Sequence, residues 1–314
     1  MTQKTDHRLA KSTKPTEPVS GPFDRALVRK RRGRAQRLDT ELKAGRFLFS
    51  RCAEDAVERF LDVSRDFEHT LIIGDRDLAR QVVAGLEEKL GQEKLGQVVY
   101  VDHTNHHTGL DVICDEEALP FKPESFDLVV NLLSLHGVNQ VPRALVGMKT
   151  LLKPDGFFVS ALFGGETLGA LRHVMYAAED EIYGRVSPRI SAMIRLDQAA
   201  SLLSASGFTM PVADRDVVCV AYSALDKLYA DLRFMGESNV LAERMCAPVS
   251  RRFFKRVAEI YKTQHSDKLG KYMVGFEIIW LSGWAAHPDQ PKALKPGSAK
   301  IKLADALGVT EGKL

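Results

Sequence analysis

Between His69 and Gly164 short apolar runs alternate with helical patterns, and this alternation restricts the fold more than any other feature of the chain. "TLIIG" is followed by "DLARQVVAGLEEKL", in which Leu78, Val82, Leu86 and Leu90 recur at helical spacing. "GQVVYVD", "LDVICD" and "SFDLVVNLLSL" read as three further strands. "VPRALVGMKTLLKPDG" is a helix with the apolar face Leu145, Met148, Leu151 and Leu152, closed by a Pro-Asp-Gly turn. "FFVSALFG" is a fifth strand. Strands that are apolar on both faces and separated by helices build an α/β fold, with a parallel sheet covered on both sides.

The later chain extends this sheet. "ETLGALRHVMYAAEDEIYG" and "DQAASLLSASGF" read as helices, and "DVVCVAYSALDKLYADLRFMGESN" as a strand followed by a helix. "YMVGFEIIWLSGW" is a last strand, expected at an antiparallel edge. Upstream, Phe23 to Phe60 is helical and charged, and "DVSRDF" breaks that pattern. Four segments are therefore expected. They are a disordered basic tail (1–22), a helical extension (23–66), the α/β domain (67–286) and a loosely packed tail (287–314).

The net charge of +3 hides an uneven distribution. Residues 1–37 carry 11 Lys+Arg against 3 Asp+Glu, so the rest of the chain carries 33 against 38. The basicity peaks in "RKRRGRAQR", Arg29 to Arg37. Such a run is either a solvated helix start or a surface for a protein partner. Without interleaved aromatics, nucleic acid ranks below both. Cys52, Cys114, Cys219 and Cys246 have no metal-ligand spacing and read as reduced thiols. No apolar run is long enough to cross a bilayer, and the N-terminus has no secretory apolar core. The expected location is a bacterial cytoplasm, or the mitochondrial matrix if the source is eukaryotic.

In an open α/β sheet, ligands bind beyond the carboxyl ends of the strands near the switch point. Gly74, Asp102, Asp115 and the stretch Asn131 to His136 fall there. An acid ending the second strand has two oxygens that match a vicinal diol. An acid after the third could accept from an adenine amino group. Each acid taken alone reads equally as a solvated strand end.

Several segments together carry a resemblance. "CDEEALPFKPESFDLVVNLLSLHG" and "LKPDGFFVSALFGGETLGALR" resemble the class I S-adenosylmethionine-dependent methyltransferase fold, which implies a Rossmann-like, mostly parallel seven-stranded sheet. With "FDRALVRKRRGRA", "SLHGVNQVPRAL", "SPRIS" and "RFMGESN", the chain resembles the complex I assembly factor 5 methyltransferase-like proteins and their bacterial relatives. The resemblance implies S-adenosylmethionine as cofactor and a protein substrate or partner, such as a complex I subunit. It implies that Gly74 belongs to the cofactor loop and that Asp102 holds the ribose. Asp115 and Glu116 would lie by the adenine, and Asn131, Leu132 and the residues to His136 would line the methionine end and substrate cleft. Hydroxylation of an arginine is also within the implied chemistry.

The chain departs from that family at its first motif, an acid followed by a loop with three glycines. Ile72 stands at the acid position, and Arg76 and Leu78 replace the later glycines. Side chains there fill space that glycine leaves for the cofactor. Asp75 or Asp77 could instead cap the following helix, where a carboxylate also disfavours a bound anion. Arg76 could reach a cofactor carboxylate. His103, His106 and His107 invite a metal, but no acid or cysteine at fixed spacing completes a site, so a polar loop is expected.

His136 reads equally as a general base and as a satisfied structural histidine. Two functions stay open: a methyltransferase-like enzyme acting on a protein, and a non-catalytic assembly factor that has kept the fold. A nucleic-acid methyltransferase ranks last, because "NLLSLH" stands where such enzymes carry an N-P-P-Y-type motif.

Overall fold

The computed structural model describes residues 21–42, 46–61, 63–91, 95–104 and 110–290. Two helices come first, α1 (Arg25–Leu42) and α2 (Phe47–Leu61). They are followed by β1 (Phe67–Gly74), α3 (Arg76–Leu90), β2 (Leu95–Asp102), β3 (Val112–Ile113) and β4 (Phe126–Leu132). A single 3-10 turn at Leu135–Gly137 leads into α4 (Val141–Leu151) and β5 (Leu152–Phe163). The chain ends its described course with α5 (Gly169–Tyr183), α6 (Leu196–Ala205), β6 (Thr209–Tyr222), α7 (Leu225–Phe234), α8 (Arg251–His265) and β7 (Tyr272–Trp284).

The seven strands form one sheet in the order β3-β2-β1-β4-β5-β7-β6. The pairs from β3 through β5 are parallel, and β7 runs antiparallel to both β5 and β6. The expected mostly parallel sheet is present. Its late antiparallel strand is inserted one place in from the edge, which β6 occupies. The strand order reverses between β1 and β4, so the switch point lies at Gly74 and Leu132, which pair across it.

Successive side chains of a strand face opposite ways, and both faces are covered here. Phe157, Val159, Ala161 and Phe163 of β5 enter one core with α2, α3, α5 and α8. Phe158 and Leu162 enter the other, with α4 and α6. That is why these strands are apolar throughout.

Four elements differ from the sequence expectation. β5 begins at Leu152, so the expected Pro-Asp-Gly turn lies within the strand. β3 is only two residues long and stops before Asp115. β6 begins at Thr209, ahead of the expected start. Helix α8 was not expected, although Phe253, Val257, Ile260 and Tyr261 form its buried stripe and Ser250 caps Phe253 N–H at 3.2 Å. The expectations for residues 1–20 and 291–314 lie outside the described residues.

Candidate functional site

The site is built where α1 meets the carboxyl ends of the strands. Asp24 starts α1 by accepting from Leu27 N–H at 2.9 Å. Arg25, Arg32 and Gln36 are spaced by seven and four residues, which puts them on one helical face. That face points at the sheet. Val28 and Ala35 are buried, and Gly236, with a positive φ of 79°, lets the end of α7 come close to Arg32. The basic run is therefore split, with Arg25 and Arg32 turned inward and Arg29, Lys30, Arg34 and Arg37 exposed.

Each acid at the strand ends meets a side chain from this N-terminal segment. Gln36 Nε2 donates to Asp102 Oδ2 at 2.7 Å. Arg25 donates to both oxygens of Asp115, at 2.9 and 3.2 Å, and also to Glu116. Its Nη1 donates to Gly137 O at 2.6 Å. Arg46 donates to Asp75 Oδ2 at 2.8 Å. Asp75 also caps α3, accepting from Asp77 N–H and Leu78 N–H at 3.1 Å each. His103 lies buried between Asp102 and Glu116, with Nδ1 3.3 and 3.5 Å from their oxygens. His106 and His107 lie outside the described residues.

Burial raises the Asp102 pKa, against the opposing pull of His103 and the Gln36 hydrogen bond. Burial works the same way on Glu116, but His103, Arg25 and Arg32 outweigh it and hold that carboxylate well below its ordinary range.

Gly74 has φ of 128°, and a Cβ there would collide with the Leu132 carbonyl oxygen. This glycine is thus required by the close approach of two strand ends. Asn131 and Leu132 are fully buried. Asn131 Nδ2 donates to Ser134 Oγ at 2.6 Å, and Ser160 Oγ donates to Asn131 Oδ1 at 3.3 Å, so its side chain serves the interior. Arg76, considered for a cofactor carboxylate, is buried with its guanidinium over the Tyr100 ring, 5.0 Å from the centroid.

Next to this packed region is an open cavity of about 780 Å³. His136 forms part of its wall, with Leu171, Met175 and Glu237. Phe163 N–H lies 3.4 Å from His136 Nδ1, which matches the tautomer that carries its proton on Nε2, and Nε2 is 3.0 Å from Glu237 Oε2. Both ring nitrogens are engaged. Burial raises the Glu237 pKa, but His136 and Arg32 outweigh it and keep the carboxylate below its usual range. Glu237 Oε1 makes no hydrogen bond, with Arg32 Nη2 3.8 Å away. Leu133, just before His136, has a positive φ of 49°, and its carbonyl accepts from Arg32 at 3.1 Å. Non-glycine residues held there store strain that concentrates at functional sites.

The sequence brings Asp102, Asp115, Glu116 and His136 to one end of the sheet. It offers Glu237, in "RFMGESN", as partner surface or helix cap and does not pair it with His136. His136 and Glu237 are 101 residues apart, and only the fold joins them.

Whether S-adenosylmethionine fits can be judged from these contacts. Between Gln36, Arg46, Asp75, Asp102 and Leu133 only about 10 Å³ remains. That is no more than about one water, whereas small-molecule sites span roughly 300–1,000 Å³. As arranged here, the residues do not fit the cofactor, because α1 side chains hold the acids it would use.

The strand order and the antiparallel β7 define a methyltransferase-fold protein. A family model described as a methyltransferase domain matches residues 77–160. The rat protein "Arginine-hydroxylase NDUFAF5, mitochondrial" (Rattus norvegicus) is 35% identical over 292 residues, covering 90% of this chain and 83% of that one. The human protein of the same name is 33% identical, covering 90% and 82%. Among solved structures, Haemonchus contortus phosphoethanolamine N-methyltransferase 2 in complex with S-adenosyl-L-methionine is 16% identical. It covers 87% of this chain and 61% of that one, with a TM-score of 0.45. The chain belongs to the family of the NDUFAF5 arginine hydroxylases.

Proposed function

We propose that this chain modifies an arginine of a protein partner and thereby serves the assembly of respiratory complex I. One observation carries the reading: 35% identity to an arginine hydroxylase over 90% of this chain. The cavity adds chemical support. Glu237 and Asp226 are the acids of its lining, and the buried Oε1 of Glu237 makes no hydrogen bond among the described residues. A carboxylate can receive a guanidinium through paired, charge-assisted hydrogen bonds. In this reading Glu237 holds the target side chain and His136 is a positioning residue, since its Nε2–H fixes the carboxylate.

A second reading has an observation of its own. The small volume left at Asp102 favours an assembly factor that has kept the methyltransferase fold and works by binding alone.

The test is mass spectrometry of complex I subunits from cells lacking this gene, complemented with wild type or Glu237→Gln. The enzyme reading expects an arginine with an added oxygen under wild type only. Assembly restored by both variants, with no modified arginine under wild type, would overturn it and support the binding reading.

A further inference from the structure

The cavity beside His136 has an excess of cationic walls. Six arginines line it, Arg31, Arg32, Arg34, Arg189, Arg233 and Arg251, against the acids Asp226 and Glu237. Two of the six are already engaged. Arg189 pairs with Glu179 at 2.7 Å, and Arg32 donates to the Leu133 carbonyl. The other four, Arg31, Arg34, Arg233 and Arg251, make no ion pair among the described residues. Arg31 is half-buried, where burial and the nearby Arg244 work against its charge and outweigh the pull of Asp24.

A second feature adds to this field. The first turn of α8 carries Arg251 and Arg252 and no acid. A helix N-terminus is already partially positive, so cations there cost stability. Local rules are broken in this way where function demands it. The same cavity is also lined by the apolar side chains of Leu171, Met175, Ile190 and Met193. An occupant that matches this lining carries both negative and apolar groups.

Residues 1–20 hold four Lys+Arg against two Asp+Glu, and residues 291–314 hold five against two, so their charge does not complement these arginines. An acidic partner segment does.

We infer that this cavity receives an acidic segment of a partner protein, with its carboxylates on Arg31, Arg34, Arg233 and Arg251 and its apolar side chains on the apolar lining. The inference deepens the proposed function and rests on it only for the target side chain. Acidic neighbours of that target hold the arginine rim while the target reaches Glu237. This also resolves how a cationic side chain could enter a cavity with so many arginines.

The test is fluorescence anisotropy of the full chain with a labelled peptide in which Glu alternates with Leu. A Lys-for-Glu version of the peptide and vesicles of anionic phospholipid serve as competing probes. The expected result is salt-sensitive binding of the Glu peptide and none of the Lys peptide. Arg233→Glu/Arg251→Glu should lower the affinity roughly tenfold or more, with the milder Arg34→Gln/Arg233→Gln showing a smaller loss. Equal affinity for the two peptides would overturn the inference, as would unchanged binding by the variants. Binding of vesicles but not of the Glu peptide would assign the rim to a membrane surface and overturn it too. Because turnover is not read, a failed modification assay leaves this result standing, and the converse also holds.

Discussion

Arg25→Ala should destabilise the fold more than any substitution among the exposed arginines of the same helix. Arg25 ties α1 to Asp115, Glu116 and the Gly137 carbonyl, with 16% of its side chain exposed and 2% of that of Glu116. Truncation leaves Glu116 buried, with Arg32 3.7 Å and His103 3.5 Å away as its remaining polar neighbours. Removing one partner of a buried pair costs about 3–5 kcal/mol, and the surviving neighbours favour the lower end. With a urea slope of about 3 kcal/mol/M, the unfolding midpoint should fall by about 1 M. The wild-type Glu116 pKa is depressed, so its stabilisation is present above the ordinary Glu value and is lost as pH falls through the folded one. Without Arg25 the Glu116 pKa moves up toward its ordinary value, and the stabilisation the pair supplies above that value is missing. The gap between the two proteins should therefore be widest at pH 7 and narrow as pH falls below the ordinary Glu value of about 4.3. A midpoint shift below about 0.3 M, or one that does not change with pH, would refute the reasoning.

Two other outcomes follow from the same packing. Gly74→Ala should cost about 3 kcal/mol or more, from a positive φ and the clash with the Leu132 carbonyl, seen as a lower melting temperature. An unchanged melting temperature would return Gly74 to the role of a cofactor glycine. Toward a thiol reagent, the exposed Cys219 and Cys246 should react in the native state. Buried Cys52, whose pKa burial raises, and Cys114, pushed up to about 12, should react only on unfolding. Four fast thiols would contradict the burial.

The sheet was legible because both of its faces are covered. Apolar runs such as "TLIIG" and "DLVVNLL" permit little except buried parallel strands. Capping by Asp75 was legible for a similar reason, since a short acid before a helix has few other uses. The role of α1 was not legible. "RKRRGRAQR" reads as a solvated basic run, and nothing local reveals that Arg25 and Gln36 would meet acids 90 and 66 residues away. Helix α8 could have been found from its stripe of Phe253, Val257, Ile260 and Tyr261 behind Ser250. The pairing of His136 with Glu237 joins two loops, and loop pairings leave no periodic trace in sequence.

The decisive measurement is calorimetry of S-adenosylmethionine with wild type and Gln36→Ala. Gln36 donates to Asp102, the carboxylate that the resemblance assigns to the ribose. If α1 holds the cofactor's place, wild type binds weakly, because only the fraction with α1 displaced is competent. Gln36→Ala should then bind at least about tenfold more tightly. Micromolar binding by wild type, lost in Asp102→Ala and no tighter in Gln36→Ala, would contradict it and make the altered Gly74 loop a working cofactor site.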